Sequence, residues 1–500
     1  MKNYICVNHF FLQTLRIIHF NQILPMKKSF LFLFVAMMGL SLMSGCNNTC
    51  PVKRAADAIS AEPPRPAGQT DVVGLRCDPI PVVRAAFIGL GQRGYGSLER
   101  FQFLEGVEVK AICDLEQQNI DRTQALLVRN GRPEVDAYTG EEDWKKVCER
   151  NDIDIVYITT HWALHAPIAV YAMEQGKHAV VEIPLATTME ECWAVVNAAE
   201  RMRRHCIMME NVCYSEYSLN TLNMAQQGLF GEVVHVECAY VHDLRVDYLF
   251  LERTFSERNG RIGSPRGYWN FWRLKENTER NACLYPMHGL GPVAQVLDIN
   301  HGDKMNYLVA LGSDQFNLTA YAKKTFGENS PQAQQEYKKG DMTNVLIKTE
   351  KGKSMLIQHD VVSPRPRSTA PGIISGTNGV AKRNPTQLAF EPDAHSPIPR
   401  EEMEALFEKY QHPVLKQMSE VTRSDGQDGG HGGTDFTMVY RLVYCLQKGL
   451  PLDINVYDGV SWSSVIPLSE FSLANGSMPV RIPDFTRGSW QKEQGVKFAK

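Results

Sequence analysis

The chain lacks an excess of either charge sign, a Cys-x-x-Cys pair and, in its leading apolar stretch, the length to cross a membrane. Lys plus Arg number 53 against 56 Asp plus Glu over 500 residues, a formal net charge of -3. With no long basic run, nothing attracts nucleic acid in general, and none is expected as a partner. Twelve cysteines without a metal-type Cys-x-x-Cys spacing give no zinc signature, and no metal is expected. Cys113, Cys192, Cys206, Cys213, Cys238 and Cys445 sit in apolar periodic segments and read as buried thiols. Met1 to Pro25 lack a charged-then-apolar order, whereas Met26-Lys-Lys followed by the apolar stretch from Ser29 has it, so translation is expected to start at Met26. That stretch has the length of a signal-peptide core and falls short of the roughly 20 residues of a membrane span.

Leu42-Met-Ser-Gly-Cys46 resembles the bacterial lipobox. This implies a signal peptide over residues 26–45, acylation of Cys46 and an exported lipoprotein anchored by lipid to a membrane. Residues 46–81 are rich in Pro, Ala, Asp and Gly, and Glu62-Pro-Pro-Arg-Pro-Ala-Gly68 cannot hold regular structure, so a tether is expected there. What remains exceeds one core, and two domains are the natural reading.

The first domain is organised by Val83-Arg-Ala-Ala-Phe-Ile-Gly-Leu-Gly-Gln-Arg-Gly94, an apolar run that ends in G-x-G-x-x-G. Gly89 permits a tight turn, Gly91 lets the backbone approach a pyrophosphate at the following helix N-terminus, and Gly94 lets helix and strand pack closely. A second apolar strand ends at Asp114, about 20 residues on, where a carboxylate accepts hydrogen bonds from an adenosine ribose. Residues 83–114 therefore read as an NAD-binding unit. Strands then alternate with helices: Ile153 to Thr160, a helix from His165, Ala179 to Ile183 closed by Pro184, a helix from Thr188 to Arg204, and Cys206 to Asn211. This order predicts a doubly wound parallel α/β sheet of Rossmann type over 82–210. Beyond residue 211, longer strands at Val233 to Tyr240, Asn306 to Gly312, Thr343 to Thr349 and Ser354 to Val362 predict an α+β domain with a largely antiparallel open sheet. The last segment reads as extended and polar.

In a doubly wound sheet, ligands sit outside the C-terminal strand ends, and Asp114, Trp162, His165, Glu182 and Asn211 all fall there. A second cluster, Tyr285-Pro286-Met287-His288, with Trp272-Arg273 and Tyr240-Val-His-Asp-Leu-Arg245, supplies the side chains suited to moving a proton beside a nicotinamide. The same residues also suit an aromatic core. Gly429-Gly-His-Gly-Gly433 is a polar loop with no role legible from its residues.

Over about Val83 to Ser472 these motifs, with Glu210-Asn-Val-Cys-Tyr214 and Gly430-His-Gly-Gly-Thr-Asp-Phe436, resemble the glucose-fructose oxidoreductase and inositol dehydrogenase (Gfo/Idh/MocA) superfamily, and within it glycosyl hydrolase family 109. In the wider superfamily the strand ending at Glu182 continues Glu-Lys-Pro, with a lysine used in dehydrogenation. Here it reads Glu182-Ile183-Pro184, which favours the hydrolase branch. The resemblance implies an α-N-acetylgalactosaminidase-like enzyme in which NAD oxidises the sugar at C3, the C1 group is eliminated, water adds and the NADH so formed returns the hydride. It assigns Gln92, Arg93, Asp114, Trp162, Ala163, Leu164, His165, Glu182, Ile183 and Asn211 to NAD. It assigns Tyr240, Arg273, Tyr285, Pro286, Met287 and His288 to the sugar, with His288, Tyr214 and Tyr285 as catalytic groups. Where the family reads Pro-Arg-Pro-Tyr-Ser, this chain has Pro364-Arg-Pro-Arg367-Ser, so Arg367 occupies the place of a sugar-facing tyrosine.

The expected partners are thus a small-molecule or glycan substrate and a membrane, with a homo-oligomer left open. The alternatives are a sugar dehydrogenase that releases NADH and a non-catalytic sugar-binding lipoprotein.

Overall fold

The computed structural model describes residues 51–249, 257–258, 261–262, 268–421 and 430–499. The expected leader over 26–45, the acylation site Cys46 and Gly429 lie outside the described residues.

Six short strands form the first sheet: β1 (Val83–Ile88), β2 (Val107–Cys113), β3 (Asp136–Tyr138), β4 (Ile155–Ile158), β5 (His178–Val181) and β6 (Cys206–Met208). All five pairings are parallel and the order is β3-β2-β1-β4-β5-β6. Strand order therefore reverses between β1 and β4, which opens a crevice at their C-terminal ends. Every residue of β4 and β5 is buried, as a sheet covered on both faces requires. β3 is a three-residue edge strand that makes no apolar run of its own.

The connecting helices are α1 (Gln92–Phe101), α2 (Gln117–Arg129), α3 (Asp143–Cys148), α4 (His165–Glu174) and α5 (Met189–Met202). The start of α5 is fixed by a capping box, with Thr188 accepting from the Glu191 backbone N–H and the Glu191 carboxylate accepting in return.

After α6 (Glu216–Gln226) come β7 (Val233–Val241), helix α7 (Met287–Val296), β8 (Met305–Gly312), β9 (Met342–Thr349), β10 (Ser354–Asp360), β11 (Ser368–Gly376), β12 (Gly379–Lys382), β13 (Gln387–Phe390) and β14 (Val480–Arg481). They form one sheet in the order β13-β12-β11-β7-β10-β9-β8-β14, antiparallel except for the β7–β10 pair. Along β9 burial alternates strictly from Thr343, so one face is covered. α7 lies against β7 so closely that a Cβ on Gly289 would stand 2.7 Å from the Ala239 nitrogen.

Two late helices, α8 (Thr434–Lys448) and α9 (Val456–Ala474), return to the first sheet, so a single division at residue 210 does not describe the packing. α9, not anticipated from the sequence, lies against α5 and β6 on one side and β8 on the other, and nearly all of it is buried. It shows no polar face because its serines satisfy themselves: Ser463 donates to the Gly459 carbonyl at 2.7 Å and Ser464 to that of Ser461 at 2.8 Å.

The expected tether is also corrected over its later part. Ser60 donates to the Arg481 carbonyl at 2.8 Å, Arg65 pairs with Glu200 at 3.0 Å, the Val72 N–H donates to the Tyr457 hydroxyl at 3.0 Å, and the Ile80 N–H to the Leu446 carbonyl at 3.0 Å. Residues 60–80 lack regular structure but form a strap pinned to the body by these polar contacts. Much of that body is the C-terminal segment, which was read as extended and polar but buries Ile482, Phe485, Trp490 and Val496. The six thiols expected to be buried are so.

Candidate active site

The glycine turn after β1 has the geometry that its spacing implies. Gly89 sits at φ +88°, and a Cβ there would meet the Thr159 backbone at 2.7 Å, while a Cβ on Gly94 would meet the Gly89 carbonyl at 1.9 Å. Around Gly91 nothing lies within 4 Å of the same construction. Two glycines therefore pack the turn, and the third leaves room beside α1, whose N-terminus has no side-chain cap. Uncapped N–H groups beside open backbone fit a pyrophosphate. At the end of β2, Asp114 accepts from the Leu90 N–H at 2.6 Å, the Glu116 N–H at 2.8 Å and the Asn119 amide at 3.0 Å. The carboxylate is locked in place with acceptor capacity remaining for a ribose.

Behind this mouth runs a charged network. Arg93 donates to Glu182 at 2.8 Å and to Asp435 at 3.0 Å; Asp435 also accepts from the Asn211 amide at 2.7 Å, faces His431 Nδ1 at 2.9 Å and lies 3.5 Å from Arg100. Burial pushes the Asp435 carboxyl up, but the bond to His431 and the cations of Arg93 and Arg100 outweigh it and hold the group well below the usual carboxylate range. Asp435 stood in a sequence motif without a role, and it explains the Gly-rich loop: Gly430 to Gly433 carries His431 and the start of α8 onto the cofactor edge. The available signal was an aspartate in the first turn of a helix that opens on glycines.

Trp162, Ala163 and Leu164 form a single 3-10 turn after β4, with Trp162 buried and Ala163 exposed at the rim. Ile183 is buried at the end of β5. His165 is corrected. Its Nδ1 stands 2.7 Å from the Pro184 carbonyl and its Nε2 3.0 Å from that of Thr160, so both nitrogens face protein carbonyls, and a neutral ring donates its single N–H to one of the two. Burial brings its pKa down to about 4, so the ring is neutral.

Trp162 links this edge to the second cluster. It stacks on Tyr285 with centroids 5.6 Å apart and planes at 18°, and it meets Trp272 edge-on at 5.1 Å. The Arg273 guanidinium lies 4.3 Å from the Tyr285 ring centroid and 5.3 Å from that of Trp162, and it donates to the Tyr268 hydroxyl at 2.6 Å. Its Nε and Nη2 are buried without a partner among the described residues. Tyr240, on β7, packs 4.8 Å from Tyr285 and 5.3 Å from His288, with its hydroxyl 3.4 Å from His242 Nδ1. His288, in the first turn of α7, faces the fully buried Glu210 at 2.8 Å. Glu210 and His242, quoted in the sequence motifs without a role, thus join the site.

Three other expectations change. Tyr214 lies apart: the 3-10 turn Asn211–Tyr214 turns it into the core, where its hydroxyl donates to Asp453 at 3.4 Å beside the Arg441–Asp453 ion pair. It reaches no group of the site and is not a proton-transfer candidate. Pro286 and Met287 are buried, and Met287 has no exposed surface to offer a sugar. Their place is to set the turn that presents Tyr285 and His288. Arg367 is exposed at the entrance to β11.

Comparison with known proteins extends this geometry. Residues 83–210 match the family described as "Oxidoreductase family, NAD-binding Rossmann fold", and residues 214–492 match "Glycosyl hydrolase 109, C-terminal domain". The chain is 49% identical over 426 residues to an alpha-N-acetylgalactosaminidase of Bacteroides fragilis, covering 85% of this chain and 96% of the relative. It is 44% identical over 453 residues to a glycosyl hydrolase family 109 protein of Porphyromonas gingivalis, covering 87% and 92%. Among solved structures, a levoglucosan dehydrogenase in complex with NADH and levoglucosan aligns with a TM-score of 0.58 at 19% identity, over 80% of this chain and 99% of that one. At that identity the likeness concerns the fold.

Proposed function

The chain belongs to glycosyl hydrolase family 109, and from that premise we propose that it releases terminal α-linked N-acetylgalactosamine from glycans with NAD as a recycled cofactor. The observation that carries the reading is the Trp162–Tyr285 stack, which joins the cofactor edge to a face of aromatic, imidazole and guanidinium groups suited to a sugar.

The open backbone at Gly91, the bare N-terminus of α1 beginning at Gln92, Asp114 and the Arg93–Glu182–Asp435–Asn211 frame are the groups that would hold NAD. When bound, NAD supplies a reversible hydride acceptor for the C3 carbon of the sugar. A C3 ketone acidifies the C2 proton, so bond cleavage needs a modest base and no pair of carboxylates around an oxocarbenium ion. Tyr240 and His288 are placed to take that proton. The contact between His288 Nδ1 and Glu210 fixes the ring so that Nε2 is free as the acceptor. The two uncommitted N–H groups of Arg273 can stabilise negative charge that develops on the sugar oxygens. Burial holds the Tyr285 phenol well above its ordinary pKa, so it acts as a hydrogen-bond donor. At the rim, His431, oriented by Asp435, can serve the leaving group.

Incubation of the purified chain with nitrophenyl α-N-acetylgalactosaminide tests this directly. Nitrophenol should appear without added cofactor and without net NADH. NADH accumulating with free sugars, and no nitrophenol, would instead favour the dehydrogenase reading. The intact Glu210–His288 and Tyr240–Tyr285 geometry argues against a non-catalytic sugar binder. We propose further that Cys46 is acylated and holds the enzyme at a membrane, on the support of the Met26 to Cys46 pattern. Mass spectrometry that finds Cys46 unmodified in the mature protein would refute this.

A further inference from the structure

The sugar face carries more positive charge than its own carboxylates balance. β11 enters the second sheet beside β7 with Ser368 opposite Val241 and Thr369 opposite Tyr240. Continued by one position, the same register brings Arg367 to the level of His242, just past the end of β7. Arg367 is exposed and makes no ion pair among the described residues. Arg273, on the buried side of the same cluster, is held by aromatic faces and one hydroxyl, with no carboxylate.

Asp243 and Glu210 are committed elsewhere, whereas Asp360, buried at the end of β10, keeps Oδ2 without a hydrogen-bond partner among the described residues. Asp243 takes both of its oxygens to Arg245, at 2.9 and 2.7 Å, and Glu210 faces His288. Arg365 reaches Asp360 only at 3.9 Å. Both cations act at one point: burial, then Arg367, then Arg273 bring the His242 pKa down to about 4. Neutral sugar hydroxyls are served equally well by a phenol, whereas a planar guanidinium fork matches the two oxygens of a carboxylate or sulfate.

We infer that this enzyme prefers a substrate bearing an anionic substituent, a sulfate ester on the sugar or a carboxylate on its neighbour, which Arg367 binds at the mouth of the cleft. The inference rests on the reading of this face as the substrate cleft.

The test compares kcat/KM for nitrophenyl α-N-acetylgalactosaminide, its 6-sulfate, and N-acetylgalactosamine α-linked to a uronic acid, in the wild type and in Arg367→Tyr. One of the two anionic substrates should exceed its neutral counterpart by about 10-fold, since Arg367 is exposed and a charged hydrogen bond there is screened. Which of the two does so tells sulfate from carboxylate. The preference should shrink with added salt, fall to near unity in Arg367→Tyr and return in part in Arg367→Lys. Equal rates on charged and neutral substrates, or a preference unchanged in Arg367→Tyr, would overturn the inference. If no glycoside is hydrolysed, the glycosidase reading fails first, and calorimetry decides the anion question by itself. NAD-loaded protein should then bind at least one of N-acetylgalactosamine 6-sulfate and a uronic acid more tightly than N-acetylgalactosamine, with the difference lost in Arg367→Tyr. Equal affinities for all three sugars in the wild type would end the inference.

Discussion

The cofactor edge and the sugar face are assembled from the same residue types held in opposite ways. At the cofactor edge Arg93, Glu182, Asp435 and Asn211 are tied to one another, and Asp114 is tied to its own loop. On the sugar face Arg273 keeps Nε and Nη2, and Glu210 keeps Oε2, without partners among the described residues. Asn211 Oδ1, next in sequence to Glu210, and Arg100 Nε are exceptions on the first side. Satisfied networks fix a shape, whereas unsatisfied buried donors and acceptors are costly and mark places where chemistry or a ligand completes them. The cofactor edge is thus a frame and the sugar face a set of tools, and perturbing each should have a different signature.

The largest separation is expected from His288→Ala, which should lower kcat by about 10² to 10⁴ while leaving bound NAD in place. Nucleotide released on denaturation of the pure variant checks the second half; its loss would mean that the two sides are one structure. Asp435→Ala should act in the opposite sense. It strips the shared partner from Arg93, Arg100 and Asn211, and breaking a buried charge pair costs about 3–5 kcal/mol. A fall in NAD affinity and in melting temperature should therefore accompany any fall in rate. Asp114→Ala should weaken NAD binding by about 1.5–3 kcal/mol, with kcat restored at saturating NAD. Unchanged affinity would confine Asp114 to holding Leu90, Glu116 and Asn119.

Acid should also act on the cofactor edge. The pKa of His165 in the folded chain, about 4, lies below the value of about 6.5 of an unfolded histidine. Its contribution is therefore present in full above about pH 6.5 and is lost as pH falls through about 4. NAD retention followed from pH 7 to 4 should decline over that window, while Asp435 stays ionised throughout. The smallest effect is expected from Tyr214→Phe. It removes one long hydrogen bond, should cost no more than about 1 kcal/mol of stability, and should leave kcat within about twofold. A large loss of rate would return Tyr214 to the site.

How much of this was legible in the sequence follows from how far each constraint reaches along the chain. Gly89, Gly91 and Gly94 act within one turn, so their spacing carried their roles, and the strand ends bearing Asp114, Trp162 and Glu182 followed from the alternation of strands and helices. Asp435 completes an ion pair with Arg93 342 positions away, and no local pattern encodes that pairing. Tyr214 misled for the opposite reason: it sits close in sequence to Glu210 and Asn211, but a 3-10 turn sends it to the other side of the core. His165 had the right position and the wrong duty, because only the fold shows that two carbonyls occupy its ring nitrogens. α9 was invisible because a helix buried on all sides has no polar stripe to reveal its period.

The strap carries a consequence for the order in which the molecule can be completed. Ser60 meets Arg481, 421 positions later in the chain, and Arg65 meets both Glu200 and the carbonyl of Thr486. During synthesis the strap emerges long before it can find its place, since some of its partners follow 421 positions later. Closing so long a loop is entropically expensive until the rest of the body has formed. Until residues 481–487 arrive, the strap is an open seam, and a chain cut short before them would expose the buried Glu200 and the Trp193 face that Phe485 covers to proteases and to other chains.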